Sequence, residues 1–208
     1  GPFSPQARPQ YPPMPPSLTL NHYPLFLRVL SCGPEWGGAE SGHDTLTRRL
    51  EKTMTSLHLA TETVVAAAPA KLWEVMSDYG TAWKWMDLKE DEYVVSAGSA
   101  IGSTRTMTHM PETFVEIVRK NDAETMSFSY EATEGAAQVN LSKYVPTFQV
   151  VPEGSGSKVL YSVDFVVVNP GEGMPKDGEP PFATADGLKA MFVDIYAGWV
   201  NNAAKLAM

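Results

Sequence analysis

Six strand-like segments lie between residues 92 and 168, and the turns joining them are too short for any crossover. They are EYVVSA (92–97), STRTMTH (103–109), TFVEIVRK (113–120), TMSFSYEA (125–132), KYVPTFQVV (143–151) and KVLYSVDFVVV (158–168). Connections this short force neighbouring strands to run antiparallel. The GSGS within PEGSGS (152–157) joins two strands and opens no helix, so it reads as a hairpin turn and not as a phosphate cradle. One further strand precedes the series, LHLATETVVA (57–66), whose β-rich composition begins with apolar alternation.

A sheet with one apolar face needs a cover. Only the C-terminal segment is long enough. Leu188, Met191, Phe192, Ile195, Trp199, Ala203 and Leu206 recur at spacings of three and four, which predicts a helix over 185–206, roughly 30 Å long. Between the first two strands, Pro69 suits a first helical turn, and Leu72, Trp73, Val75, Met76 and Tyr79 share one face up to Gly80. A second short helix carries Trp83 and Trp85. The expected fold is α+β: a curved antiparallel sheet of about seven strands around a long C-terminal helix, a helix grip.

The N-terminal quarter differs in kind. Nine of the seventeen prolines fall within the first 34 residues, and a proline tract cannot supply a regular hydrogen-bond ladder. Residues 1–53 read as a flexible Pro/Gly-rich extension, with a short helix in DTLTRRLEKT (44–53). The leading Gly-Pro matches a tag remnant, and the folded domain is expected over 54–208, with Met54 as a candidate natural start.

The bulk chemistry excludes several function classes. A net charge of −8 and the lack of any basic cluster argue against nucleic acid and anionic membrane surfaces. Cys32 is the only cysteine, so no intrachain disulfide forms, and His22, His43, His58 and His109 show no metal-ligand spacing. No apolar run reaches membrane-spanning length, and the run in YPLFLRVLSCG (23–33) is too short and wrongly flanked for a signal peptide. The reading is a cytoplasmic protein, monomer or homodimer, without stable membrane insertion, metal or organic cofactor.

Pairing arithmetic narrows the chemistry. If the hairpin of the third and fourth strands turns between Met110 and Pro111, Met107 faces Phe114 and Arg105 faces Glu116. Threonines at 104, 106, 108 and 113 mark the other face as solvated, so Arg105, Met107, His109, Phe114 and Glu116 look inward. Arg105 then either orients a carboxylate or enolate with its planar donors, or forms a structural ion pair with Glu116. Glu116 is a candidate proton acceptor, its desolvation opposed by the neighbouring cation. His109, beside the turn, either shuttles a proton or is simply solvated. Trp85, Phe114, Phe128, Phe148, Tyr161, Phe165, Ile195 and Trp199 are candidate walls of an apolar compartment, while Trp73 reads as core. Pro146 is expected to disturb the alternation of its strand with a bulge.

APAKLWEVMSDYGTAWKW, GSTRTMTH, FVEIV, SFSYEATEG and KYVPTFQVVPEGSGSKV together resemble the SRPBCC or START-like superfamily. That superfamily includes polyketide cyclases, birch-pollen-allergen-like proteins and the abscisic-acid receptors, and the resemblance covers residues 58–207. It implies a deep apolar cavity between sheet and long helix, opening near THMPETF (108–114) and the Pro/Gly-rich loop 169–184. The receptors' Ser-Gly-Leu-Pro-Ala type of gate is absent here. The resemblance also implies that Arg105 and Glu116 project into the cavity, that Tyr130 and Tyr144 are pocket tyrosines, and that Lys84 occupies a Lys-Trp position. Two functions remain open: a cyclase, dehydratase or isomerase of polyketide-like or aromatic molecules, and a non-catalytic carrier or sensor for a lipid, sterol or hormone-like ligand.

Overall fold

The computed structural model describes residues 54–208. The expected extension over 1–53 and its short helix lie outside the described residues. Seven strands form one antiparallel sheet: β1 (Thr55–Val65), β2 (Tyr93–Val95), β3 (Thr104–Met107), β4 (Phe114–Asp122), β5 (Ser127–Glu134), β6 (Leu141–Glu153) and β7 (Gly156–Val167). Their order is β1-β7-β6-β5-β4-β3-β2, which leaves the two strands flanking the short helices as the sheet's edges.

The helices are α1 (Pro69–Ser77), α2 (Trp83–Met86) and α3 (Ala185–Leu206). α3 has the bounds its periodicity predicts, and Thr184 starts it by accepting a 3.0 Å hydrogen bond from Gly187 N–H on Oγ1. α1 ends three residues before Gly80. Asp78 stops it by turning its carboxylate back on the chain, where Oδ1 accepts from Gly80 N–H at 3.1 Å and Oδ2 from the Thr81 hydroxyl at 2.8 Å. The tight turn Tyr79–Thr81 that follows swings the Tyr79 ring into the interior.

Two expectations are corrected. The apolar line of α3 runs through Leu188, Phe192, Tyr196, Val200, Ala203 and Ala204, whereas Met191, Ile195 and Trp199 flank it half-buried and Leu206 is exposed. A row at i+4 spacing is a single ridge of the helix, and this ridge meets the sheet. Pro146 keeps the alternation of β6, with Tyr144, Pro146, Phe148 and Val150 all buried, and the irregularity against β7 falls at Leu141–Lys143 instead.

The core lies between the sheet and α3. Its central row crosses three strands in register: Phe128 pairs with Phe148 and Phe148 with Tyr161. The ring centres stand 5.5 and 5.6 Å apart. From the helix side, Tyr196 stacks on Tyr161 at 4.0 Å, and Phe192 packs against Tyr144 at 5.3 Å and edge-on to Phe165 at 5.2 Å. The sequence suggests walls around a hollow; along this row the two walls touch.

Candidate functional site

The hairpin register inferred from the sequence is the one observed: Arg105 opposes Glu116, and Met107 opposes Phe114. Inward parity buries both charged side chains, leaving them 1 % and 3 % exposed. Arg105 Nε donates to Glu116 Oε2, and Nη1 reaches Tyr93 Oη at 3.4 Å and Met86 Sδ at 3.1 Å.

The guanidinium lies in a cage of rings. Its central carbon sits 4.4 Å from the centre of Tyr130 and 4.6 Å from that of Tyr79, with Tyr93 at 5.9 Å. The Tyr93 hydroxyl donates to the Tyr79 carbonyl at 2.7 Å, which locks two walls of the cage together. Such stacking favours a desolvated cation, and a planar guanidinium suits it better than an ammonium.

The electrostatics follow from burial. Glu116 is pushed above its ordinary range by desolvation, with Arg105 opposing the shift. Burial works to lower Arg105, but Glu116 and the surrounding tyrosines overcome it, so the guanidinium keeps its charge. Tyr130 is pushed up to about 12 by desolvation against the pull of Arg105. Its phenol is a proton donor at neutral pH and not an anion.

Two hydroxyl pairs extend the polar interior toward α3. Tyr130 and Tyr161 meet at 3.1 Å, and Tyr144 and Tyr196 at 3.0 Å. Each pair uses one hydrogen for its mutual bond, which leaves one O–H per pair free to donate elsewhere. Among the described residues, Arg105 Nη2, Tyr79 Oη and Trp85 Nε1 are also buried without a hydrogen-bond partner. The interior therefore holds hydrogen-bond donors that no protein acceptor uses.

The other candidates divide. Phe114, Phe128, Tyr130, Tyr144, Phe148, Tyr161 and Phe165 all face inward and are buried. Trp85 is buried edge-on to Trp199 at 5.9 Å, and Ile195 and Trp199 are half-buried beside it on the helix flank. Trp73, read as core, is half-buried over Phe148 at 6.1 Å. Lys84 is exposed and leans over Trp83 at 5.4 Å, away from the cage. His109 lies past the end of β3, its Nδ1 buried without a partner; desolvation lowers its pKa while Glu92 opposes. It makes no hydrogen bond to the buried pair. Tyr93, Met86 and Tyr196 are cage and core members that sequence reasoning did not single out, and Tyr79 was placed only on the apolar face of the first helix. Tyr196, four residues after Phe192 and four before Val200, carried a periodic signal; the periodicity that put Tyr79 inward did not place it over Arg105, because α1 ends before it and Asp78 redirects the chain.

Two shallow grooves, one of about 460 Å³ beside Ala60, Thr147 and Leu160 and one of about 300 Å³ beside His58 and Asp164, lie on the outer face of the sheet.

No curated protein sequence matches this chain. Several solved structures share its fold. Truncated norcoclaurine synthase from Thalictrum flavum aligns with 20% identity and a TM-score of 0.55, covering 75% of this chain and 96% of that one. Ara h 8.0201 aligns with 16% identity and a TM-score of 0.51, covering 74% and 98%. XoxI from Bacillus cereus aligns with 16% identity and a TM-score of 0.54, covering 72% and 94%. The model of one family, described as polyketide cyclase / dehydrase and lipid transport, matches residues 56–204. With that match running from β1 almost to the end of α3, the helix-grip chain belongs to the polyketide cyclase / dehydrase and lipid transport family.

Proposed function

We propose that this protein binds a hydrophobic, carbonyl-bearing small molecule between the sheet and α3, and acts on it as a cyclase or dehydratase by proton transfer. The observation that carries this reading is the caged Arg105–Glu116 pair with its unspent donors. A buried ion pair contributes little net stability over an apolar replacement, so its presence asks for another reason. Buried donors without acceptors cost free energy until a partner arrives. A guest rich in carbonyl oxygens gives those donors partners, whereas a plain hydrocarbon chain does not.

In the chemistry that fits, Glu116 accepts a proton from a carbon flanked by carbonyl groups. Arg105 Nη2 and a tyrosine hydroxyl donate to the oxygen that becomes enolate, where preorganised donors act most strongly. The enolate carbon then attacks a second carbonyl of the same molecule, and protonated Glu116 gives its proton to the resulting alkoxide; Glu116 then takes a second proton from the same carbon and returns it to the departing hydroxide, which leaves as water. Holding a flexible chain folded supplies much of the acceleration. Proton transfer of this kind calls for neither metal nor organic cofactor.

The close contact of Tyr161 with Tyr196 and the full burial of Glu116 favour a second reading, a carrier or sensor whose rings part for an inert guest. Native mass spectrometry followed by organic extraction identifies what the protein holds. With that compound, Glu116→Gln is expected to abolish turnover while keeping affinity within about tenfold, roughly 1.4 kcal/mol. Turnover surviving in Glu116→Gln refutes the assigned base, and a compound recovered unchanged after long incubation supports the carrier.

A further inference from the structure

β5 and β6 are neighbours in the sheet, yet they pair over Ser127–Gln149, Phe128–Phe148 and Ser129–Thr147 alone. Past that point β5 stays bonded to β4, with Tyr130 on Val118 and Glu134 on Val115, while β6 from Leu141 to Pro146 stays bonded to β7. The sheet forks. Continuing the register would set Pro146 opposite Tyr130, and proline has no N–H with which to extend a ladder. Side chains close the last rung instead: Ser129 Oγ donates to the Pro146 carbonyl at 3.0 Å, and Thr147 Oγ1 to Ser129 Oγ at 3.1 Å.

The tight turn Ala136–Val139 bridges the mouth of this fork. It hangs between two residues in the left-handed region, Gly135 at φ 81° and Asn140 at φ 63°. Its two ends are held unequally. Asn140 is fastened by four bonds: its side chain donates to the carbonyls of Asn169 and Phe182 and accepts from Asn169 N–H, and its own carbonyl accepts from Val168 N–H. On the other side Gly135 packs against Thr113 and Phe114, Ala136 and Val139 rest on the core, and one side chain supplies the side-chain hydrogen bonds. Gln138 accepts from Glu112 N–H at 3.1 Å and donates to the Glu112 carbonyl at 3.0 Å, clasping the turn to the β3–β4 loop. Tyr130 and Tyr144 face each other across the fork at 6.5 Å, and Tyr130 is the ring that covers the Arg105 guanidinium.

We propose that this fork is the port through which the ligand reaches the Arg105–Glu116 cage, with the 136–139 turn as its lid, Asn140 as the fixed hinge and Gln138 as the catch. This rests on the ligand-binding reading above. Passage anywhere between β6 and β7 would break a ladder running from Leu141 to Glu153, whereas passage here breaks one side-chain clasp and turns two rings. Segments held by few bonds open locally without global unfolding.

The test uses the full chain and the probe 1-anilinonaphthalene-8-sulfonate, with stopped-flow fluorescence and native-state hydrogen exchange. Gln138→Ala is expected to raise association and dissociation rates together by about tenfold, leaving Kd within about twofold, as loss of two hydrogen bonds from the closed lid alone requires. Pro146→Val, which restores the missing N–H, is expected to slow both rates. Amides 136–140 are expected to exchange by local opening, faster in Gln138→Ala, with β6–β7 unchanged. Probe binding at unaltered rates in both variants overturns the port alone, as does exchange of 136–140 only by global unfolding. Failure of the wild-type protein to bind the probe overturns the ligand-binding reading and the port with it.

Discussion

Glu116 stands directly opposite Arg105 across β3 and β4, and its Oε2 accepts from Arg105 Nε where neither side chain meets solvent. Removing the carboxylate strands a buried cation, while removing the guanidinium strands a carboxyl that can still take up a proton. Glu116→Gln is therefore expected to cost about 3–5 kcal/mol of stability. Arg105→Met should cost less in acid, and Arg105→Met/Glu116→Gln should cost clearly less than the two single losses summed. Urea unfolding of the four proteins measures the coupling, and additive losses would refute it.

His109 gives stability an acid limb. Burial lowers its pKa below the ordinary 6.5 despite Glu92, so in the window beneath 6.5 the unfolded chain binds the proton more readily. Its contribution is complete above that value and is lost as pH falls. Glu116 acts with the opposite sign: its raised pKa makes stability decline as pH climbs past 4.5. Urea midpoints of His109→Gln measured between pH 5 and 7 should rise less with pH than those of the wild type. An unchanged slope would place the limb elsewhere.

Tyr196 separates stacking from hydrogen bonding. Tyr196→Phe keeps the ring on Tyr161 and Phe192 and loses only the bond to Tyr144, an expected cost of about 1 kcal/mol. Tyr196→Ala empties the space between β7 and α3 and should cost about 3–5 kcal/mol. Equal losses in thermal or urea unfolding would show that the hydroxyl, not the ring, holds the helix to the sheet.

Gly187 lies in the first turn of α3, where alanine would ordinarily gain up to about 1 kcal/mol. Here a Cβ would run into the Pro181 carbonyl and the Pro175 ring. Gly187→Ala is expected to lose about 1–3 kcal/mol instead and to speed hydrogen exchange across 175–184. A stabilised variant would mean the loop yields freely.

What was legible in the chain was whatever depends on neighbours in sequence. Alternation and turn residues marked the strands, Met110–Pro111 set the hairpin register that joins Arg105 to Glu116, and apolar periodicity bounded α3. β2, read over 92–97, spans Tyr93–Val95, because a tight helical turn over Glu90–Glu92 precedes it and the chain bends away at Ser96–Ala97.

Contacts between distant segments were another matter. That Tyr79 would cover one face of Arg105 depends on a carboxylate at Asp78 redirecting the chain, and that Tyr161 would meet Tyr196 depends on which ridge of α3 the curved sheet selects. Periodicity fixes which side of an element is apolar, because that follows from backbone geometry alone. Which rings then fill the space, and where the sheet forks, is settled only when close packing and hydrogen-bond satisfaction are imposed on all the elements at once.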